Sequence, residues 1–415
     1  MRQSLLFTKT LKEISSDEIS INASLLRRAG FIDRLTAGVY TYLPLGLIVL
    51  NKINNIIREE INQIGGQEVL MPGLTPKEPW EITGRWETED ALFKLKGVDD
   101  KEYALGATHE EVVVPLVQNY VSSYKDLPLY VYQIQTKFRN EKRAKAGILR
   151  GREFVMKDLY SFHTDEADLN KYYEIVKQTY IKIFERLDIS KQTYLTFSLG
   201  GSFSKYSHEF QTISESGEDT IYICHKCNLA FNEEVFEGGE KKCFDCGSTD
   251  LEIKKAIETG NIFKLGTRYT LPFKFDYVDR AGKKQPVIMG CYGLGPTRSM
   301  GAIVETHYDD KGIIWPAAVA PFDVHLLILG KNNESIAKKA EELYNDLTQQ
   351  GTTVLFDDRE ESAGIKLKDS DLIGLPIRLV ISEKTLAADS VEMKYRNVDK
   401  FELIKLKEIL KKLQK

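Results

Sequence analysis

The chain has 415 residues, 42% hydrophobic and 28% charged, which fits a soluble globular protein of two or three cored domains. Its net charge of −4 excludes coating of nucleic acid through bulk charge, although a local basic surface can still bind RNA. The longest apolar segment, 37–50, is broken by Pro44 and Gly46 and is too short to span a bilayer, and Leu5 to Phe7 is too brief for a signal sequence. A cytoplasmic protein with no membrane partner is expected.

In chain order, Leu50, Ile53, Ile57, Ile61 and Ile64 recur at spacings of three and four, which predicts an amphipathic helix over 50–64, ended by Gly65 and Gly66. Val69, Leu70 and Met71 read as a strand ending at Pro72. Alternation predicts strands over 131–141 and 153–162, joined by a basic loop through Arg150. Thr164 is placed to cap a helix whose first turn holds Asp165, Glu166 and Asp168. A cysteine-bearing segment occupies 218–260, and a strand over 287–292 runs into a helix opening at Pro296. Beyond Pro321, strands at 324–330, 352–357, 377–382 and 390–395 alternate with helices at 333–350 and 399–414, a separate small α/β domain. The last twenty residues hold seven cations against three acids, one local basic surface.

Three constellations carry chemistry. Arg139 and Glu141 lie two apart on a predicted strand, so a cation and a carboxylate share one face. Lys142, Arg143, Lys145, Arg150 and Arg152 follow, a set that suits a triphosphate with an amine to be read. Taken alone, the segment is also consistent with a solvated hairpin tip. The second constellation is the glycine turn Gly293-Leu294-Gly295 before Pro296, where backbone N–H groups at a helix N-terminus can approach phosphate. Arg298 replaces the third glycine of a dinucleotide fingerprint, and a cation opposing the helix dipole in the first turn needs another reason to be there. The third is Cys224, Cys227, Cys243 and Cys246, two CxxC pairs with 15 residues between them. Four thiolates suit a tetrahedral, structural zinc; the alternative is four reduced structural cysteines. Cys291 reads as a small packing residue.

Pro72, Phe138-Arg139-Asn140-Glu141 and Gly293-Leu294-Gly295-Pro296-Thr297-Arg298 together resemble the three motifs of class II aminoacyl-tRNA synthetases. Longer stretches resemble the prolyl family: Gly84-Arg85-Trp86, Thr108-His109-Glu110-Glu111, Arg152 to Asp158, Gly200-Gly201-Ser202, Ser207-His208-Glu209-Phe210 and Gly312 to Pro316. Ala107 departs from the proline usual before the Thr-x-Glu loop.

The resemblance implies an α+β catalytic domain, an antiparallel sheet with flanking helices, over 1–217 and 261–319. It further implies a zinc-ribbon-like insert over 218–260 where bacterial relatives place an editing domain, and an α/β anticodon-binding domain over 320–415. The implied activity is ATP-dependent ligation of L-proline to its tRNA through a prolyl-adenylate, by a homodimer with Pro72 at its interface, with no DNA partner. Arg139 would hold the α-phosphate of ATP, Arg298 the γ-phosphate and Glu141 the adenine amine, with Arg150, Gly293 and Gly295 lining that site. Thr108 and Glu110 would hold the imino group of proline, Arg152 its carboxylate, and His208 would line its pocket. Magnesium would bridge the phosphates, and Arg359 and Lys366 would contact the anticodon. A threonyl, glycyl or histidyl enzyme, or a non-catalytic paralogue binding RNA, is the alternative; a paralogue freed from catalysis has no need of Arg139, Glu141 and Arg298.

Overall fold

The computed structural model describes all residues except 14–19, 145, 200–205, 237–238, 331–333 and 414–415. Lys145, Gly238, Lys415 and the Gly200-Gly201-Ser202 match therefore lie outside the described residues. Two compact units result: 35–40 with 53–302, and 1–34 with 41–52 and 303–415. Compactness thus divides the chain along other lines than the boundaries expected at 217 and 320. The first residues join the C-terminal unit: the Met1 ammonium donates to the Val354 carbonyl at 2.7 Å and Ser4 N to Asp358 Oδ1 at 3.0 Å. Such long-range pairing leaves no local periodicity to read.

Helix α1 (Pro44–Gln63) opens six residues before the predicted start, because Pro44 takes the first position, where its missing N–H costs nothing. Gly46 lies within it: a Cβ there would stand 2.0 Å from the Phe31 carbonyl oxygen, so the close approach of that backbone requires glycine.

The larger unit is built on β1 (Gln67–Glu68), α2 (Glu110–Gln118), β2 (Leu129–Phe138), β3 (Glu153–His163), α3 (Glu166–Arg186), β4 (Thr193–Leu199), β5 (Tyr206–Ile213), β6 (Asp219–Cys224), β7 (Ala230–Asn232), β8 (Leu251–Gly266), β9 (Ile288–Leu294) and α4 (Pro296–Thr306). The nine strands form one sheet in the order β5-β4-β7-β6-β8-β9-β3-β2-β1, with a further β5–β8 pairing. All its pairings are antiparallel except β1–β2 and β7–β4. Asp165, not Thr164, caps α3, its side chain accepting from Asp168 N at 2.9 Å. Helix α3 buries Tyr172, Tyr173, Val176, Tyr180, Ile183 and Phe184. Helix α2 buries Val113, Val114 and Val117 in a cluster with Val131, Tyr160, Phe162, Phe263 and Met289. Tyr160 and Phe162 point from one face of β3, whereas Lys157, which donates to Tyr180 of α3, points from the other. The two helices therefore cover opposite faces.

The cysteine segment is not a separate insert over 218–260. Strands β6, β7 and the first part of β8 belong to the main sheet, with Cys224 opposite Leu251. Only the two cysteine turns and the loop between them stand outside its strands.

In the other unit, β10 (Val324–Leu329), α5 (Glu334–Gln349), β11 (Val354–Asp357), α6 (Ala363–Ile373), β12 (Ile377–Ser382), β13 (Ser390–Tyr395), β14 (Glu402–Lys405) and α7 (Leu406–Leu413) form the expected α/β fold. The sheet order is β11-β10-β12-β13-β14, parallel through the first three strands and antiparallel after them. The predicted helix over 399–414 divides into β14 and α7, and α6 has no single apolar stripe to betray it. No described helix is long and apolar enough to cross a membrane.

Candidate active site

A cleft open to solvent lies where the end of β2, the loop to β3, β8, β9 and the start of α4 converge. Arg139 and Glu141, just past β2, line it with Arg150, Gly293, Gly295 and Arg298. The two strand-derived motifs meet because β9 pairs with β3 and β3 with β2.

Arg298 is anchored: Nε donates to the Leu149 carbonyl at 2.9 Å, and Nη1 to the Glu258 carbonyl at 2.6 Å and to Glu258 Oε2 at 3.0 Å. Arg139 lies with its guanidinium carbon 5.2 Å from the centre of the Phe154 ring, and among the described residues no carboxylate pairs with it. Burial, then the neighbouring Arg298 charge, lowers the proton affinity of Arg139. Two guanidiniums facing one cavity, one of them unneutralised, make a site for a polyanion. Glu141 accepts from Arg150 Nε at 3.1 Å and Nη2 at 2.8 Å, both through Oε2, which leaves the other oxygen for an amine.

Sequence reasoning missed two lining residues. Asn261 Nδ2 donates to Glu258 Oε1 at 2.7 Å, and a Cβ on Gly293 would stand 2.6 Å from Asn261 Oδ1. The glycine thus keeps this wall open. Nothing local set Glu258 and Asn261 apart, because Glu252, Lys254, Lys255 and Thr259 make the stretch before Phe263 polar throughout. Nearby, burial and then the Glu258 charge push the Glu209 carboxyl up to about 8, while Gln211 Nε2 bridges Glu209 at 2.8 Å and Asp219 at 2.7 Å.

Thr108 and Glu110 stand at the N-terminus of α2, on the face of the sheet that carries Tyr160. Thr108 Oγ1 donates to Glu110 Oε2, and the Cys291 thiol lies 3.3 Å from Glu110 Oε1. Arg85, also missed, holds Glu111 at 3.0 Å and lies 3.8 Å from Glu110, so the buried carboxylates have a counter-charge.

Two expected proline ligands are not brought here. His208 pairs with Ile262, while Glu209 pairs with Asn261, Asn261 with Gly293 and Gly293 with Asp158. Alternation therefore sends His208 to the opposite face, where its Nδ1 lies 2.7 Å from the Tyr173 hydroxyl of α3. Arg152 donates to the Glu141 carbonyl at 3.1 Å and the Ala37 carbonyl at 2.9 Å, which braces the loop. Pro72 accepts from His109 Nε2 at 3.0 Å, and Leu70 and Leu74 beside it are 76% and 51% exposed.

The four cysteine thiols converge, with Cys224 and Cys246 sulfurs 3.6 Å apart, those of Cys227 and Cys243 3.4 Å apart, and all four within 4.8 Å. Tetrahedral zinc with bonds of ~2.3 Å needs sulfurs ~3.8 Å apart, so the set fits. The turns match: Asn228 N returns to the Cys224 carbonyl at 2.8 Å and Gly247 N to the Cys243 carbonyl at 2.9 Å, both residues with positive φ.

The expected anticodon contacts are both engaged. Arg359 binds Asp357 at 2.7 Å and Asp369 at 2.9 Å, and Lys366 is buried, its amine donating to the carbonyls of Ile328 at 3.0 Å and Asp357 at 3.1 Å. They hold α6 and the end of β11 together instead.

Residues 93–307 match the family model for the tRNA synthetase class II core domain (G, H, P, S and T), and residues 323–415 match the anticodon binding domain. A proline--tRNA ligase of Exiguobacterium sibiricum is 34% identical over 560 aligned positions, taking in 99% of this chain and 98% of that one. One from a Sulfurihydrogenibium species is 35% identical, covering 100% and 99%. A Giardia lamblia prolyl-tRNA synthetase solved with prolyl-adenylate has the same fold, with a TM-score of 0.77 at 22% identity over 93% of this chain and 74% of that one. A Cryptosporidium parvum prolyl-tRNA synthetase, solved with L-proline and AMP, gives 0.77 at 19% identity over 94% and 73%.

Proposed function

The chain belongs to the prolyl-tRNA synthetase family, and from that premise we propose how its own residues divide the work. It uses ATP to join L-proline to its tRNA through a prolyl-adenylate. The proline carboxylate attacks the α-phosphorus, pyrophosphate leaves, and a terminal tRNA hydroxyl later displaces AMP from the carbonyl.

Arg139 takes the α-phosphate, because it is the cavity cation without a carboxylate partner among the described residues, and that observation carries the reading. Arg298, fixed at the far wall by Glu258 and Leu149, takes the γ-phosphate. Glu141 accepts from the adenine amine through the oxygen that Arg150 leaves free. Thr108 and Glu110 hold the imino group of proline, a secondary ammonium for which a carboxylate is the natural partner. Charge that develops on the phosphate meets donors already in place, so no enzyme nucleophile is needed.

Magnesium, when bound, neutralises phosphate charge, and Glu258 is the lining carboxylate next to Arg298 that would hold it. Zinc would be held by Cys224, Cys227, Cys243 and Cys246 as a structural ion. Leu70 and Leu74 around Pro72 are large exposed apolar groups that a second copy of the chain would cover. The C-terminal domain binds the tRNA, its direct contacts falling to exposed Lys400, Lys407 and Lys411 rather than to Arg359 and Lys366.

The test is proline-dependent ATP–pyrophosphate exchange in Arg139→Ala. Loss of a cation aimed at transition-state charge lowers the rate by ~10²–10³ in a folded protein. Exchange near the wild-type rate would overturn the site.

A further inference from the structure

Behind the proline end of the site runs a buried polar chain that the reaction as described does not use. Lys137 of β2 is fully buried, its amine 2.8 Å from Asp158 Oδ1 and 2.6 Å from His109 Nδ1. His109 is also fully buried, and its Nε2 lies 3.0 Å from the Pro72 carbonyl. A carbonyl can only accept, so Nε2 carries the proton and Nδ1 turns its lone pair to the Lys137 amine. Burial, then the Lys137 charge, pushes the His109 pKa down to about 4, which agrees with a neutral ring. The main chain of His109 is tied to the same cluster. Its N–H donates to the Tyr160 hydroxyl at 3.2 Å, and that hydroxyl donates to Asp158 Oδ2 at 2.9 Å. Asp158 also accepts from Gln133 Nε2 at 2.9 Å, and Gln133 Oε1 accepts from Met71 N at 3.0 Å.

His109 is thus gripped at ring and backbone, and its neighbours on either side are Thr108 and Glu110. A buried ion pair adds little net stability over apolar groups of the same shape, so its value here lies in the geometry it fixes. We propose that Lys137 is the positioning residue of the proline subsite: through His109, its amine sets Thr108 and Glu110 in register with the Met71-Pro72 turn, and so governs proline binding without touching proline. This rests on the reading of Thr108 and Glu110 as proline ligands.

Glu110→Gln tests that underlying reading by itself: an unchanged KM for proline in this variant sinks the ligand assignment, and the proposal with it. The positioning role is tested in the full-length enzyme by Lys137→Met with Asp158→Asn, a double variant that removes the amine without leaving an unpaired buried charge. The role predicts a KM for proline raised about tenfold to a hundredfold, the worth of one charge-assisted hydrogen bond, with the KM for ATP within about twofold. Equal changes in both constants, or none, in a folded variant overturn it. A pair of single variants at His109 decides the question even where the double variant fails to fold. His109→Gln keeps a donor for Pro72 and an acceptor for Lys137 and retains proline affinity, whereas His109→Leu loses it. Equal affinity in the two His109 variants overturns the proposal.

Discussion

Arg139, Glu141 and Arg298 were legible because each needs only local rules: strand alternation, a glycine turn, a cation at the wrong end of a helix. His208 and Lys366 were not. Which face of β5 a residue takes depends on its register with β8, and a lysine looks the same in sequence whether its amine meets RNA or the carbonyls of Ile328 and Asp357. Glu209 couples stability to pH. Its carboxyl is pushed up to about 8 from an ordinary 4.5, so the folded protein keeps a proton that the unfolded chain gives up. Stability from this source is fully present below about 4.5 and is lost as pH rises towards about 8. Glu209→Gln is therefore expected to lose less stability between pH 6 and pH 8 than the wild type, measured as urea midpoints. Glu111, pushed up to about 7 by burial, shares the direction and keeps some slope in the variant. Identical slopes in both proteins would show that Glu209 titrates normally.

Among the elements, those with a clear period lie close to where they were expected, whereas the strand expected to end at Pro72 falls at Gln67–Glu68, where its partner β2 sets it. Strand β8 is the clearest case. Its 16 residues pair with β6 at one end and β9 at the other, so the cysteine turns are continuous with a wall of the cavity. The cysteine spacing announced that the four thiols converge, but nothing in it announced that β6 and β7 are strands of the main sheet. The loop after β7 is tied to the sheet as well. Ser198 of β4 donates to Glu209 at 2.8 Å, and Leu199 N donates to Glu234, just after β7, at 2.8 Å. Purified protein is expected to carry about one zinc per chain. Replacing Cys243 and Cys246 by Ser is expected to remove the metal and lower the melting temperature, because binding energy at a structural site is folding energy. Metal-free protein with reduced thiols and an unchanged melting curve would rule the site out.

For the whole molecule, the alignment to the Exiguobacterium relative spans 560 positions against 415 residues here, so this chain is the shorter. The segment expected to stand in place of an editing domain is spent on β6, β7, the cysteine turns and the start of β8. Alanine is smaller than proline, and missing ring carbons are worth only ~1–3 kcal/mol per methylene, so size discriminates weakly. The enzyme is expected to activate alanine detectably and to leave pre-formed alanyl-tRNA bearing the proline anticodon intact. Deacylation well above the uncatalysed rate would reveal a hydrolytic site in this chain.

On the reading proposed above, the cavity beside Arg139 and Arg298, with Thr108 and Glu110, forms a prolyl-adenylate. ATP–pyrophosphate exchange across the full set of amino acids tests it most directly. Proline should support exchange far above every other amino acid, with alanine a weak second and threonine, glycine and histidine at background. Exchange led by any amino acid other than proline, or absent with all of them, would contradict that claim.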